Sequence, residues 1–231
     1  MQDLQVTPAR SAARDKLIQA ALRFFGERGI GVPMIEISAA AGNRNKSAIT
    51  YHFEGRTGLI NAIYEEIQRF LEPRYNFLLL ELEAKDSRKL SLYEIVLALN
   101  APFFALYSSE PDGNATLKTL ARLGNDAPPG LESMYRRFLA DTFNRFAALI
   151  IKASPRKPLG QLKFHLAHYI MATVNGLALT ERWQEADFRS DPDLMFELLL
   201  SYTDYVAGGI GGSESDRPPF DADRWRRAIE P

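Results

Sequence analysis

Apolar residues recur every three or four positions through most of the 231-residue chain, the spacing of one face of an α-helix. This pattern predicts a first helix over about residues 12–27 and a short second helix over about 33–41. A third short helix would carry Ala48, Ile49 and Phe53 on a single buried side. No stretch alternates polar and apolar residues as a half-buried strand does. The pattern therefore predicts an all-α protein.

Longer helical repeats fill the rest of the sequence. A fourth helix is predicted over about 56–71, broken by Pro73, with a continuation or restart over 75–82. A fifth is predicted over about 90–108, interrupted or kinked at Pro102. The remaining predicted helices are about 115–123, 131–153, 159–184 and 191–210.

The segment between the second and third helices carries the most specific local signals. Gly42 can end the second helix by taking a positive φ, and Asn45 or Ser47 can cap the third. With the apolar residues buried, the opposite side of the third helix presents polar and basic groups: Lys46, Ser47, Thr50, Tyr51 and His52. This is a helix-turn-helix arrangement, whose second helix has the size and chemistry to enter a DNA major groove.

The run Ser47-Ala48-Ile49-Thr50-Tyr51-His52-Phe53, followed by Arg56 and Leu59, resembles the recognition helix of the TetR family of bacterial transcriptional regulators. The resemblance covers about residues 10–70. It implies a three-helix helix-turn-helix DNA-binding domain over residues 1–56, with a mobile arm over about 1–10. A larger helical domain for ligand binding and dimerisation would follow over 57–212, and a flexible tail over 213–231.

The predicted DNA contacts lie on and around the third helix: Arg44, Asn45, Lys46, Ser47, Thr50, Tyr51, His52 and Arg56. The resemblance assigns Arg56 to a position where the family generally has a lysine that reaches a backbone phosphate. Arg44 and Lys46 could instead be ordinary surface charges, and Tyr51 and His52 could pack against the helix. Pro33 departs from the family, because it replaces a Ser or Thr that caps the second helix and touches a phosphate.

Composition restricts the classes of function. The net charge is −1 overall, but residues 1–58 carry +3 and the remainder −4, as expected when only the N-terminal part meets phosphate. No apolar run reaches the roughly 18 residues of a membrane span, and the N-terminus lacks the pattern of an export signal. There is no cysteine, hence no disulfide and no thiolate site. The sequence therefore predicts a cytoplasmic protein without a membrane partner.

The two last predicted helices suit a homodimer. In the TetR family the corresponding helices form a four-helix bundle across a two-fold axis, which here implies dimerisation through about 159–184 and 191–210. Two recognition helices would then lie about 34 Å apart and read a palindromic operator in double-stranded DNA.

The resemblance also implies a pocket for an unidentified small-molecule effector. Candidate lining residues are Phe104, Tyr107, Tyr135, Phe138, His168, Met171 and Asn175, although each aromatic could be ordinary core. Polar groups on apolar helices are the better markers, because burying one without a partner costs about 1–3 kcal/mol. The hypothesis is a repressor that the ligand releases from its operator by moving the fourth helix.

Three alternatives stay open. An all-α metal-dependent enzyme is disfavoured, because the chain has three histidines, no Glu-x-x-His, and no carboxylate spaced to complete a site with His165 and His168. No catalytic residue, metal ligand or cofactor is therefore predicted. A helical protein-interaction module could use the basic N-terminal part to contact protein. A DNA binder without a pocket could be regulated by its concentration alone.

Overall fold

A computed structural model describes residues 8–43, 47–109, 111–126, 140–153, 159–183, 189 and 191–212. These ranges form α-helices and one short 3₁₀ helix, Ser87–Lys89, and contain no strand, which confirms the predicted all-α class. The α-helices are α1 Pro8–Arg28, α2 Met34–Ala40, α3 Ala48–Phe53, α4 Arg56–Glu83, α5 Leu92–Ser108, α6 Gly113–Asp126, α7 Ala140–Ala153, α8 Leu159–Trp183 and α9 Pro192–Gly211.

Helix α1 is held by a fully buried apolar stripe and ends at a glycine. Leu17, Ala21 and Phe25 recur every four residues and are all completely buried. Gly29 follows the helix with a φ of 89°, and its amide donates to the Phe25 carbonyl at 3.0 Å. The helix begins at Pro8, earlier than predicted, because proline suits the first turn of a helix. Residues 1–7 of the predicted arm lie outside the described ranges.

Helix α2 ends as its sequence predicts. Gly42 has a φ of 72°, and its amide donates to the Ala39 carbonyl at 3.0 Å. The next amide, of Asn43, donates to the Ser38 carbonyl at 2.9 Å, which completes a Schellman motif. The predicted cap at the start of α3 is not seen at Ser47. This residue directly precedes the helix, but its side chain makes no capping hydrogen bond.

Helix α4 continues through Pro73, so the predicted break is wrong. Proline removes one backbone hydrogen bond and crowds the preceding turn, at a cost of about 3 kcal/mol in a helix interior. The Arg74 guanidinium donates to the Phe70 carbonyl at 2.7 Å in that turn. On either side of the proline, Leu71 and Tyr75 are fully buried. Packing of both halves of α4 against neighbouring helices therefore offsets the free-energy cost of the proline.

A buried polar network joins α5, α8 and α9 inside the helical part of the chain that follows α4, which we call the body. The Tyr169 hydroxyl donates to the Asn100 side-chain oxygen at 2.5 Å, and the Asn100 amide donates to the Thr203 hydroxyl at 3.1 Å. Thr173 hydrogen-bonds the Tyr202 hydroxyl at 3.0 Å beside them. Burial raises the pKa of the Tyr169 hydroxyl well above its ordinary value, so it stays protonated as a donor.

The N-terminal helices and the body share one continuous core. The Thr119 hydroxyl of α6 donates to the Leu22 carbonyl of α1 at 2.7 Å, and both groups are buried. A side chain at Gly26 would lie 3.0 Å from the Ala115 carbonyl oxygen, so the glycine permits this close approach of the two helices. Helix α4 runs from one region into the other. The division predicted at residues 56 and 57 stays a prediction.

No helix in the described ranges is by itself long and apolar enough to cross a membrane. Helices α5 and α6 reach the required length and composition only when counted together across a bend of 119°. Much of α5, including Ile95, Leu99 and Phe103, is buried against its neighbours. Packing in the core therefore accounts for its apolar character.

Candidate nucleic-acid interface

Helix α3 is buried on one side and exposed on the other, as its sequence predicts. Ala48, Ile49 and Phe53 are at most 6% exposed and belong to the core. Thr50 is exposed, and Tyr51 is 64% exposed, which is high for an aromatic side chain. The helix therefore packs on the core with one side and exposes a polar and aromatic surface to solvent with the other.

The side chains that flank this surface are ordered by ring contacts. The Tyr51 and His52 rings meet edge to face, with centroids 5.0 Å apart, and His52 is half-buried. Beneath them the Arg14 guanidinium lies 5.3 Å from the centre of the Phe53 ring and 3.7 Å from the carboxylates of Glu65 and Glu66. Arg14 thus ties α1 to α3 and α4.

Three predicted contacts lie outside the described ranges: Arg44, Asn45 and Lys46. Their roles stay predictions, as does the effect of the long turn that contains them. Ser47, at the edge of this segment, is exposed directly before α3.

Arg56 bonds to the main chain of the protein, and its predicted phosphate contact stays a prediction. Its Nη2 donates to the Val32 carbonyl at 2.8 Å, and its Nη1 donates to the Ile30 carbonyl. Both acceptors lie in the turn between α1 and α2. The side chain is half-buried there, and burial lowers the pKa of the guanidinium from its ordinary value. The structure uses Arg56 inside the protein.

A tight connection holds α3 against the start of α4. Glu54 takes the left-handed conformation with a φ of 61°, and Gly55 follows with a φ of 117°. A side chain at Gly58 would overlap the carbonyl oxygen of Phe53. Sequence reasoning did not identify this requirement, although two glycines within four residues were a usable signal.

The predicted effector residues that the structure describes fall into a buried group and a more exposed group. Phe104 and Tyr107 are at most 3% exposed, and Phe104 packs on the Tyr202 ring with centroids 6.0 Å apart. These two are core residues. Tyr135 and Phe138 lie outside the described ranges.

The other three effector candidates lie on the outward side of α8. His168 is exposed and rests on the Phe164 ring with centroids 3.9 Å apart. Met171 is 48% exposed, and Asn175 bonds to Asn125 at 2.9 Å. They share a stripe because they lie three and four residues apart, whereas the inward stripe is formed by Tyr169, Thr173 and their neighbours. The predicted effector pocket stays a prediction.

An exposed apolar surface extends along α8 and α9. We call it the outer face, and it comprises Phe164, His168, Met171 and Leu179 of α8 with Leu194 and Tyr205 of α9. Phe164 is 60% exposed and Tyr205 74%. A groove of about 290 Å³ lies between the two helices, and His165, His168, Tyr202 and Tyr205 are among its lining residues.

Comparison with known proteins agrees with this architecture. A family described as the tetracyclin repressor-like, C-terminal domain matches residues 98–209. No curated protein matches the chain. SCO4454, a TetR-family transcriptional regulator from Streptomyces coelicolor, has a similar structure, with a TM-score of 0.53 over 87% of this chain and 97% of that chain. The two sequences are 20% identical, so this likeness concerns the fold.

The family match in the body and the helix-turn-helix at the N-terminus agree. Residues 98–209 match the C-terminal domain of TetR-type repressors, and the chain has the fold of a TetR-family regulator. TetR-family proteins are DNA-binding regulators, generally without enzymatic activity. In the described ranges, no three His, Cys, Asp or Glu side chains lie together in a way that could hold a metal ion.

Sequence reasoning did not find three residues that organise the chain. They are Gly58, Asn100 and Thr119. Asn100 and Thr119 did carry a signal, since each is a polar residue on an otherwise apolar helical stripe. Arg56 was predicted as a phosphate contact, and its bonds to the turn between α1 and α2 were not expected from the sequence.

Proposed function

We propose that this chain is a sequence-specific DNA-binding regulator that places α3 in the major groove. The observation that supports it best is the two-sided character of α3. Its buried Ile49 and Phe53 fix the helix to the core, while Thr50 and Tyr51 stay exposed. A rigid element that presents hydroxyl groups is suited to base edges and phosphates.

Each exposed group has a role in this proposal. Thr50 can meet a thymine methyl or accept a hydrogen bond from a base. Tyr51 can donate to a phosphate oxygen, and His52 supports its ring from the side. Ser47 at the start of the helix can donate to a second phosphate. Arg44, Asn45 and Lys46 would add phosphate or base contacts from the preceding turn.

Selection of bound duplexes from a random DNA pool tests the proposal directly. Enrichment of a palindrome with half-sites about one helical turn apart is the expected result. The affinity for that DNA should fall steeply with salt, because each neutralised phosphate releases counterions. A protein-interaction module would instead leave the pool unenriched and bind weakly at every salt concentration.

A matched pair of variants locates the contact. Tyr51 and Phe77 are almost equally exposed, at 64% and 62%, but Phe77 lies on the distant half of α4. Tyr51→Ala should weaken operator binding about tenfold or more, through the loss of one phosphate contact and its ring surface. Phe77→Ala should leave binding unchanged. Equal effects of the two variants would remove α3 from the interface.

We further propose that the chain is a homodimer formed through the outer face. Large exposed apolar side chains commonly mark a protein interface. Here Phe164, Met171, Leu194 and Tyr205 lie on two neighbouring helices, where a four-helix bundle with a second copy would cover them. Gly208 and Gly209 of α9 would allow close approach of the partner.

The dimer is tested by another matched pair of variants. Phe164 and Phe77 are 60% and 62% exposed, but only Phe164 belongs to the outer face. Phe164→Glu should give monomers by light scattering and lose tight binding to the palindrome, because a charge cannot be buried there without a partner. Phe77→Glu should remain dimeric. A dimeric Phe164→Glu variant would place the interface elsewhere.

Release from the operator by a small molecule, and hence repression, is the finer part of the proposal. The continuity of α4 from α3 to the buried Tyr75 and Leu79 supports a mechanical link. A ligand that binds one state about 100-fold better couples the two sites by about 2.7 kcal/mol. Compounds that co-purify or raise the melting temperature, and then lower operator affinity, would identify the effector. The protein would act in the cytoplasm, beside its operator.

A further inference from the structure

Arg56 binds two backbone carbonyls that belong to a single turn. It is the first residue of α4, and its side chain is directed toward the connection between α1 and α2. Nη2 donates to the Val32 carbonyl at 2.8 Å, and Nη1 to the Ile30 carbonyl. The side chains of Ile30 and Val32 are at most 6% exposed, so the turn is anchored in the core as well.

This turn leads into α2 without a cap of its own. Pro33 occupies the N-cap position, and no side chain there accepts a hydrogen bond from the helix. A proline also has no amide hydrogen with which to hold the turn from inside. Arg56 therefore adds a bond from α4 to a turn that is otherwise held by the Arg28–Glu36 ion pair and the buried Ile37.

We propose that Arg56 is a positioning residue, which sets the orientation of α2 and α3 relative to α4, and is not a phosphate ligand. The proposal rests on the DNA-binding function proposed above. A planar guanidinium presents separate N–H groups to two acceptors at once, whereas the ammonium of a lysine is a single point. The two carbonyls belong to residues two apart, so the fork geometry is what this site requires.

The mechanism has a consequence for regulation. Because α4 continues into the body, any rotation of its first turn moves both carbonyl acceptors and thus the entry to α2. Arg56 therefore transmits the position of α4 to the recognition helix.

The two bonds from Arg56 to the Ile30 and Val32 carbonyls are called the clamp below. Hydrogen exchange in DNA-free protein tests the clamp independently of DNA binding. Arg56→Gln and Arg56→Lys should both accelerate amide exchange over residues 30–40, because each offers the two carbonyls a single nitrogen in place of the two separated nitrogens of the guanidinium. Arg69→Lys is the matched control on the same helix, since Arg69 is 63% exposed and pairs with Glu66 one turn away. Exchange that is unaltered in Arg56→Gln would overturn the proposal, whatever happens to DNA binding.

Operator binding separates a clamp from a phosphate ligand. With a clamp, both Arg56 variants should lose affinity about tenfold while the slope of log affinity against log salt stays the same. With a phosphate ligand, Arg56→Lys should retain affinity, and Arg56→Gln should reduce the slope by about one. That second pattern would overturn the proposal. If the wild-type protein bound no DNA, the proposed function would be wrong. The hydrogen-exchange result would still show whether Arg56 holds the turn between α1 and α2.

Discussion

The exposed side of α3 and the outer face of α8 and α9 are built in opposite ways. Behind α3 lie apolar side chains such as Ile49 and Phe53, and hydroxyl groups face solvent. Behind the outer face lie hydrogen-bonded polar groups, among them Thr173 and Thr203, while aromatic and aliphatic side chains face solvent. The chemistry of the two surfaces therefore differs.

This difference indicates which partner each surface fits. Hydroxyl groups on a fixed helix can exchange their water for phosphate or base contacts at little cost. Exposed apolar side chains gain free energy only when another apolar surface covers them, at about 25 cal/mol per Å². The first surface is therefore suited to nucleic acid and the second to protein.

The largest effect is expected from Gly58→Ala. The added methyl group would overlap the Phe53 carbonyl oxygen, and because this is backbone, the junction of α3 and α4 must move. We expect about 3 kcal/mol of destabilisation and the loss of operator binding, with the dimer retained. Calorimetry and light scattering would measure these effects. Gly160→Ala, where the added group meets nothing within 4 Å, should change stability by no more than about 1 kcal/mol.

The inner side of the α8–α9 pair is probed by Asn100→Leu. Leucine has a similar volume but leaves the buried Tyr169 hydroxyl without its acceptor and Thr203 without its donor. The free energy of unfolding should fall by about 1–3 kcal/mol, measured by urea denaturation. The same change at the exposed Asn125 should stay within about 0.5 kcal/mol. A stable Asn100→Leu variant would show that the network contributes nothing to the body.

Two Tyr→Phe variants compare the exposed surfaces most directly. Tyr51→Phe removes only a hydroxyl from α3 and should weaken operator binding by about 0.5–1.5 kcal/mol in a fluorescence titration. Tyr205→Phe removes the same group from the outer face, where the ring supplies the contact. It should leave both the dimer and operator affinity unchanged. The reverse result would exchange the roles of the two surfaces.

The smallest effect concerns the pH dependence of the free energy of unfolding. Arg145 donates to both carboxylate oxygens of Glu83, at 2.9 and 2.8 Å, and thereby lowers the pKa of Glu83 below its ordinary 4.5. A carboxyl group whose pKa is lower in the folded protein stabilises the fold at pH values above its pKa in the unfolded chain. This stabilisation is lost as the pH falls through the pKa in the folded protein. Both side chains are about one-third exposed, which limits the contribution to about 1 kcal/mol.

A melting-temperature series on wild type and Glu83→Gln checks this expectation. The wild type should be slightly more stable at pH 7, and the difference should vanish at about pH 3. A difference that persists in acid would mean that Glu83 acts through packing and not through its charge.

Local patterns in the sequence were sufficient for the buried side of α3 and the end of α2. The burial of Ala48, Ile49 and Phe53 and the positive φ of Gly42 were predicted from neighbours within one helical turn. The same reasoning failed at Pro73, because a local penalty was overcome by packing along both halves of α4. It could not tell the buried side of α8 from the exposed side, since α8 is apolar on both.

The sequence by itself determined the helices, their glycine-terminated ends and the two-sided nature of α3. These features depend on interactions between residues close together in the chain. Only the tertiary structure decided which stripe of α8 faces outward and where Arg56 places its charge. Both features depend on contacts with segments that are distant in the sequence. A helix or a guanidinium that could pair with either of two partners pairs with the one that lies near it in the folded chain.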